Sequence, residues 1–235
     1  MICQPPALAD YTDTFDRADS SDLGADWRPE FGSMVIATNR AQSRSVPSNT
    51  ARTGQWETYV GDYGGRLFTD NWEITAPLQP PVGTGSVANF SGVGMGMQDS
   101  GPAAGMVLVY AIGNRTTGTG SGGTRIMTYT GSGIAAPGTT TGLTGQTVRS
   151  NNGSAMSMNT SITLRRRMYS ATQSVFTVLV DGSSAGTWDD STGVVPAGDD
   201  YRRRWFIVTE VNYPNFLQNQ YSSGLAEVRA RDITT

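Results

Sequence analysis

General acid–base chemistry near neutral pH most often uses histidine, and this chain of 235 residues has none. It has no lysine either: all 17 basic residues are arginine. A serine nucleophile needs an adjacent base, so neither the Ser–His nor the Ser–Lys arrangement can be built. The single cysteine, Cys3, excludes an intramolecular disulfide and a thiolate zinc site. Carboxylates remain. Cleaving a glycosidic bond takes two of them, facing the bond at a fixed separation. Glu30, Glu57, Glu73, Glu210 and Glu227 are the only glutamates, and none clusters with aspartates at strand spacing. The residue types therefore predict a chain that is not an enzyme, with no catalytic residue, no cofactor and no metal. Asp16, Asp19 and Asp22 offer oxygen ligands that would suit calcium. Their spacing departs from the one-three-five pattern of a calcium loop, and they read as a solvated loop.

Binding residues are easier to nominate. Trp56, Tyr59 and Tyr63 lie between glycines and read either as a platform on which sugar rings stack or as packing. Two arginine triplets, Arg165–Arg167 and Arg202–Arg204, hold the densest charge. On a strand the outer members, Arg165 and Arg167, share one face, where planar forks would meet an acidic sugar or a neighbouring subunit's carboxylates. The competing reading is a charged strand edge that discourages aggregation. Trp27, Trp72 and Trp205 sit in apolar patterns and read as core.

The elements that would carry these residues are strands. Ile162–Met168 alternates, with Ile162, Leu164 and Met168 on one face and Thr163, Arg165 and Arg167 on the other. Val175–Val180 is apolar at nearly every position. Asp181-Gly182 supplies the positive φ of a tight hairpin turn, and a third extended segment follows it. Further strands are expected at Tyr11–Phe15, Met34–Ala37, from Asn39, at Trp72–Leu78, Ser91–Gln98, Met106–Ile112, Thr124–Thr130, near Thr147–Arg149, and at Arg204–Val211 and Ala226–Ile233. Loops are expected over 114–123, 131–157, 189–200 and 213–223. Val93, Met95 and Met97 share one face of their strand, with glycines opposite that allow a close approach. No stretch has helical apolar spacing. The expectation is an all-β sandwich over residues 11–235, preceded by a proline-bearing tether over residues 1–10.

The net charge of −3 gives no basic footprint, so nucleic acid is not an expected partner. Met1–Pro6 lacks the basic and apolar regions of a signal peptide, and no run is long enough to span a membrane. No membrane partner is expected.

The opening T-D-T-F-D-R-A-D-S-S-D-L-G-A-D-W resembles the start of the concanavalin A-like (laminin G-like) jelly-roll domains of actinobacteriophage minor tail proteins. The closing I-T-L-R-R-R-M, V-D-G, Thr-Trp and R-W-F-I-V segments resemble their end. The resemblance covers nearly the whole chain and implies a concanavalin A-like jelly-roll β-sandwich of two antiparallel sheets. It further implies a non-enzymatic virion structural protein, a minor tail or decoration component located on the phage particle. Its partners would be other virion proteins, further copies of itself and a host cell-surface glycan. A jelly-roll glucanase would show E-x-D-x-x-E on one strand, which this chain lacks, and the histidine-containing metal site of lectins has no counterpart. The alternative function is a bacterial carbohydrate-binding, lectin-like module; a glycosidase of this fold is the more distant rival.

Overall fold

The structure is a computed structural model that describes residues 8–44, 53–79, 89–97, 106–115, 123–131, 146–152, 159–198, 204–211 and 224–234. Among them, every regular element except one 3₁₀ turn is a strand, and all strand pairs are antiparallel. A nine-stranded sheet runs β13 (Ser183–Asp190), β12 (Ser174–Val180), β11 (Ser161–Met168), β6 (Trp72–Gln79), β15 (Gly224–Leu225), β4 (Ala41–Ser43) and β3 (Met34–Ile36). Its remaining strands are β16 (Val228–Asp232), which pairs with β6, and β1 (Asp10–Asp13), which pairs with β16. A seven-stranded sheet runs β10 (Gln146–Asn152), β9 (Gly123–Gly131), β8 (Met106–Arg115), β7 (Asn89–Met97), β14 (Arg204–Val211), β5 (Thr53–Tyr59) and β2 (Trp27–Phe31). The expected all-β sandwich of two antiparallel sheets is the observed architecture.

Most of the expected strands are present. β2, β15 and the strand character of β5 were not legible, because Pro29, a two-residue length and a glycine-broken aromatic stretch respectively hide their alternation. Strand β10 occupies Gln146–Asn152 within the loop expected over 131–157, and β8 and β13 run to Arg115 and Asp190, into the loops expected over 114–123 and 189–200. Of the expected loops, residues 116–122, 132–145, 153–157, 199–200 and 213–223, together with Arg202 and Arg203, lie outside the described residues. So do residues 1–7 of the expected tether. Of its last residues, Ala9 donates its N–H to Asp232 Oδ2 at 2.9 Å, and Asp10 begins β1.

The core lies between the sheets. Trp72, Ile74, Ile162, Leu164, Phe176 and Val178 come from the nine-stranded sheet, and Val93, Met95, Val109, Ile126, Trp205 and Ile207 from the other. At one end an aromatic nest joins the start of the chain to the seven-stranded sheet. Trp205 stacks on Tyr59 (centroids 4.7 Å apart, 18°) and meets Trp27 edge-on at 5.3 Å, while Phe15 lies 5.7 Å from Trp27. Asp13 clasps this nest: its carboxylate accepts from Trp27 Nε1 (2.7 Å), the Phe15 N–H (2.8 Å) and both terminal nitrogens of Arg17 (2.8 and 3.0 Å). Burial pushes the Asp13 carboxyl up, but the bonds from Arg17, the Trp27 indole and the Phe15 N–H outweigh it and hold the group below its ordinary value. The clasp also holds Phe15 at φ 51°, a left-handed conformation unusual for a bulky residue.

Glu57 is the second internal carboxylate. It points inward from β5 and accepts the Met34 N–H of β3 at 2.5 Å, tying the two sheets together along one side. Burial pushes its carboxyl up to about 7; the Met34 bond and Arg44 oppose the shift, and Asp22 adds to it.

Two outcomes follow. Asp13→Ala should cost about 2–3 kcal/mol in denaturant unfolding, because a clasped charge and the donors it satisfies are lost together. Glu57 acts in the opposite pH direction to a clasped aspartate. The folded protein keeps its proton up to about pH 7 while the unfolded chain releases it near 4.5, so this stabilisation is complete below about 4.5 and declines as pH rises to about 7. The decline is on the order of 3 kcal/mol. Glu57→Gln keeps the acceptor for Met34 and should flatten the unfolding free energy across that window; an unchanged slope would show that Glu57 does not cause it.

Candidate functional site

The two outer faces of the sandwich differ. On the seven-stranded sheet, β5, β8, β9 and β14 point Trp56, Tyr110, Ile112, Met127, Tyr129, Phe206 and Val208 away from the main core, where they form a second apolar cluster. Trp56 meets Tyr110 edge-on at 5.0 Å and Phe206 at 5.1 Å. β7 contributes Gly94 to the middle of this face. A Cβ there would overlap the Phe206 ring and the Tyr110 Cβ, so the glycine makes room for both rings. The close approach of another backbone expected of these glycines is made at Gly92, where a Cβ would overlap the Ala111 carbonyl; at Gly94 it is made by aromatic side chains. The cluster is closed: Trp56 is 3% exposed, Tyr110 2% and Phe206 0%.

Trp56, Tyr59 and Tyr63 do not form one platform. Trp56 and Tyr59 are three residues apart on β5 and therefore face opposite ways. Trp56 joins the outer cluster and Tyr59 the core nest. Tyr63 is on the 3₁₀ turn Asp62–Gly65, 77% exposed, with its ring edge-on to Phe68 at 5.9 Å.

The outer face of the nine-stranded sheet is polar and ionic. Alternation along β6 turns Trp72, Ile74, Ala76 and Leu78 inward, leaving Glu73, Thr75 and Pro77 outward. β11 and β16 flank β6, with Arg165 and Arg231 both opposite Glu73 in register. Arg165 donates from Nε to Glu73 Oε2 and Arg231 from Nε to Oε1, each at 2.8 Å. Burial raises the Glu73 carboxyl, but Arg231 and Arg165 outweigh that and hold it below its ordinary value. Farther along β16, Arg229 makes a forked pair with Asp10 at 2.8 and 2.5 Å. Thr75 and Thr163 share a hydroxyl hydrogen bond of 2.8 Å across β6 and β11. A groove of about 240 Å³ opens on this face, lined by Glu73, Thr75, Pro77, Ser161, Glu227, Arg229 and Arg231.

Arg165 and Arg167 do share this face, but their situations differ. Arg165 is bound to Glu73, and Arg167 is exposed. Arg166, between them, points inward and is buried. It donates to the carbonyls of Val195 (3.0 Å) and Pro196 (3.1 Å), and its guanidinium lies over the Phe176 ring. None of the groove-lining residues was legible as a candidate; Arg165, which was, binds Glu73 from beside the groove. The outward alternation of Glu73 and Thr75, and of Arg229 and Arg231, is readable in sequence; their adjacency across 158 residues is not.

Among the described residues two glutamates, Glu73 and Glu227, line the same groove, and the remaining carboxylates that could bear on catalysis or metal binding are dispersed. Glu30 is held by Arg28 Nε at 2.7 Å on the edge strand β2, Glu57 is internal, and only the backbone of Glu210 is described. Asp19 accepts the Thr38 N–H at 2.7 Å and Asp22 the Gly24 N–H at 3.0 Å, so two of the three loop aspartates shape the loop itself. Among the described residues no group of three acidic or thiol side chains is placed to hold a metal.

No protein-family model matches the sequence, and no curated protein matches it. Solved structures do match along its length. An endo-1,3-β-glucanase from Streptomyces sioyaensis is 13% identical, with 99% of each chain covered and a TM-score of 0.59. The κ-carrageenase of Pseudoalteromonas carrageenovora, in complex with an oligotetrasaccharide of κ-carrageenan, is 10% identical over 98% of this chain and 99% of that one, with a TM-score of 0.51. The β-glucanase of Bacillus licheniformis is 11% identical over 98% of this chain and 100% of that one, also at 0.51. These matches correct the expectation that the chain is not an enzyme, because the structures on which it superposes are themselves enzymes, a carrageenase and glucanases. At such identities the likeness is one of fold, and the fold is the concanavalin A-like jelly-roll β-sandwich.

Proposed function

We propose that this chain is a carbohydrate-recognising jelly roll. The observation that carries this reading is the superposition, over nearly all of both chains, on enzymes whose names declare polysaccharides as what they act on. The polar groove on the nine-stranded sheet agrees with it, since hydroxyl-rich ligands are bound by planar arrays of carboxylates, guanidinium groups and hydroxyls.

The place of action is the finer part of the proposal. The aspartate-rich opening, built around Asp13, resembles the start of phage tail jelly rolls, and this favours a phage particle on which repeated copies meet a host glycan. A free bacterial carbohydrate-binding module has the same chemistry without the particle.

The test is a glycan array followed by titration, using β-1,3-glucan, mixed-linkage β-glucan and sulfated carrageenan oligosaccharides. Saturable binding to at least one glycan is expected; a flat array with folded protein would end the reading. Release of reducing ends is measured in the same samples, and its appearance would add cleavage to recognition. For the place of action, mass spectrometry of purified phage particles should find the chain at constant stoichiometry. Finding it only in culture supernatant would favour the free module.

A further inference from the structure

Pro77 creates an interruption in the nine-stranded sheet. Along β6, residues 72–75 pair with β16 and residues 78–79 with β15, so β6 changes partner strand at Pro77. The Pro77 carbonyl accepts the Ala226 N–H at 3.3 Å, which places the edge where a proline has no N–H to offer on this same side. The segment between β15 and β16 bends at Ala226 and leaves the strand pairing at Glu227, and the groove opens beside it.

Its lining divides into engaged and free groups. Arg231 is engaged by Glu73 and Arg229 by Asp10. The Glu227 carboxylate makes no hydrogen bond or ion pair with any described residue, although the Arg229 charge is near, and the Ser161 hydroxyl is likewise unbonded. A free carboxylate offers acceptors to hydroxyl donors and repels an anion, while the arginines that would welcome an anion are already neutralised. Pro77 adds an apolar ring to the floor. About 240 Å³ is below the 300–1,000 Å³ typical of pockets for drug-sized ligands, which suits one sugar ring of a longer chain.

We infer that this groove is a binding site for one ring of a neutral glycan, with Glu227 and Ser161 accepting and exchanging hydrogen bonds with its hydroxyls and Pro77 beneath its apolar face. This rests on the carbohydrate-recognising reading above and locates the contact. The aromatic face of the seven-stranded sheet does not compete for the role, because its rings are covered.

The experiment is calorimetric titration of the whole chain with β-1,3-glucan and mixed-linkage β-glucan hexasaccharides, and with a sulfated κ-carrageenan oligosaccharide of matched length. Glu227→Gln should weaken neutral-glycan binding about tenfold, the loss of one charge-assisted hydrogen bond. Ser161→Tyr, which fills the groove, should abolish it. Tyr169→Ala, on an exposed turn far along β11, should leave it unchanged; thermal unfolding of each variant verifies folding. Neutral binding that survives both groove substitutions within twofold would overturn the site while leaving glycan recognition standing. Tighter binding of the sulfated chain than of the neutral ones would overturn the neutral preference. Absence of binding to every glycan would remove the reading and the site together.

Discussion

One strand carries the architecture. β6 is paired along both edges, by β11 on one side and by β16 and β15 in succession on the other, so its backbone polar groups are engaged with neighbouring strands. Its two-residue alternation then acts in two directions. Inward, Trp72, Ile74, Ala76 and Leu78 are buried in the shared core. Outward, Glu73, Thr75 and Pro77 form the floor of a polar groove. A shift of one residue in register would bury the glutamate and expose the tryptophan, and the burial of that apolar row is what prevents it.

Charge on this face does more than solvate it. Glu73 is gripped from both flanking strands by guanidinium groups, and the planar fork of arginine suits two-point contact with a carboxylate better than a lysine would. The groups are partly exposed, so the contribution to stability is modest. The greater effect is orientation: three strands have their side chains fixed relative to one another at one end of the groove. Farther out, Asp232 fixes the ends of the chain. Its carboxylate accepts the N–H groups of Ala9, Phe68 and Thr69, at 2.9, 3.0 and 2.9 Å, locking β16 against the loop that enters β6. The groove walls are therefore set by the sheet, except at Glu227, which lies between β15 and β16.

Much of the fold was legible from local chemistry. Alternation in Trp72–Leu78, the apolar run of β12 and the Asp181-Gly182 turn are all as expected, the last with φ of 47° and 79°. The core roles of Trp27, Trp72 and Trp205 also follow from pattern. The site was legible only in part. Trp56 and Tyr59 look like a cluster in sequence, but a separation of three on a strand sends them to opposite faces. Arg166 breaks the expectation that charge points outward, because loop carbonyls from Val195 and Pro196 meet it inside. The groove escaped notice for a different reason. Each wall has its own readable alternation, but which strands become neighbours is decided by long-range pairing that no local pattern records.

The two outer faces give one argument about where a ligand can bind. Aromatic side chains are the usual surfaces for sugar rings, and the richest aromatic face here belongs to the seven-stranded sheet. Yet Trp56, Tyr110 and Phe206 spend their area on one another, with Gly94 permitting the contact from beneath. Apolar surface already removed from water has little further to gain from a ligand. On the opposite sheet the balance is reversed: there is little apolar surface, but hydrogen-bonding groups are left unused at Glu227 and Ser161. The missing backbone donor at Pro77, which would ordinarily weaken a sheet, faces the break between β15 and β16 where Glu227 lies.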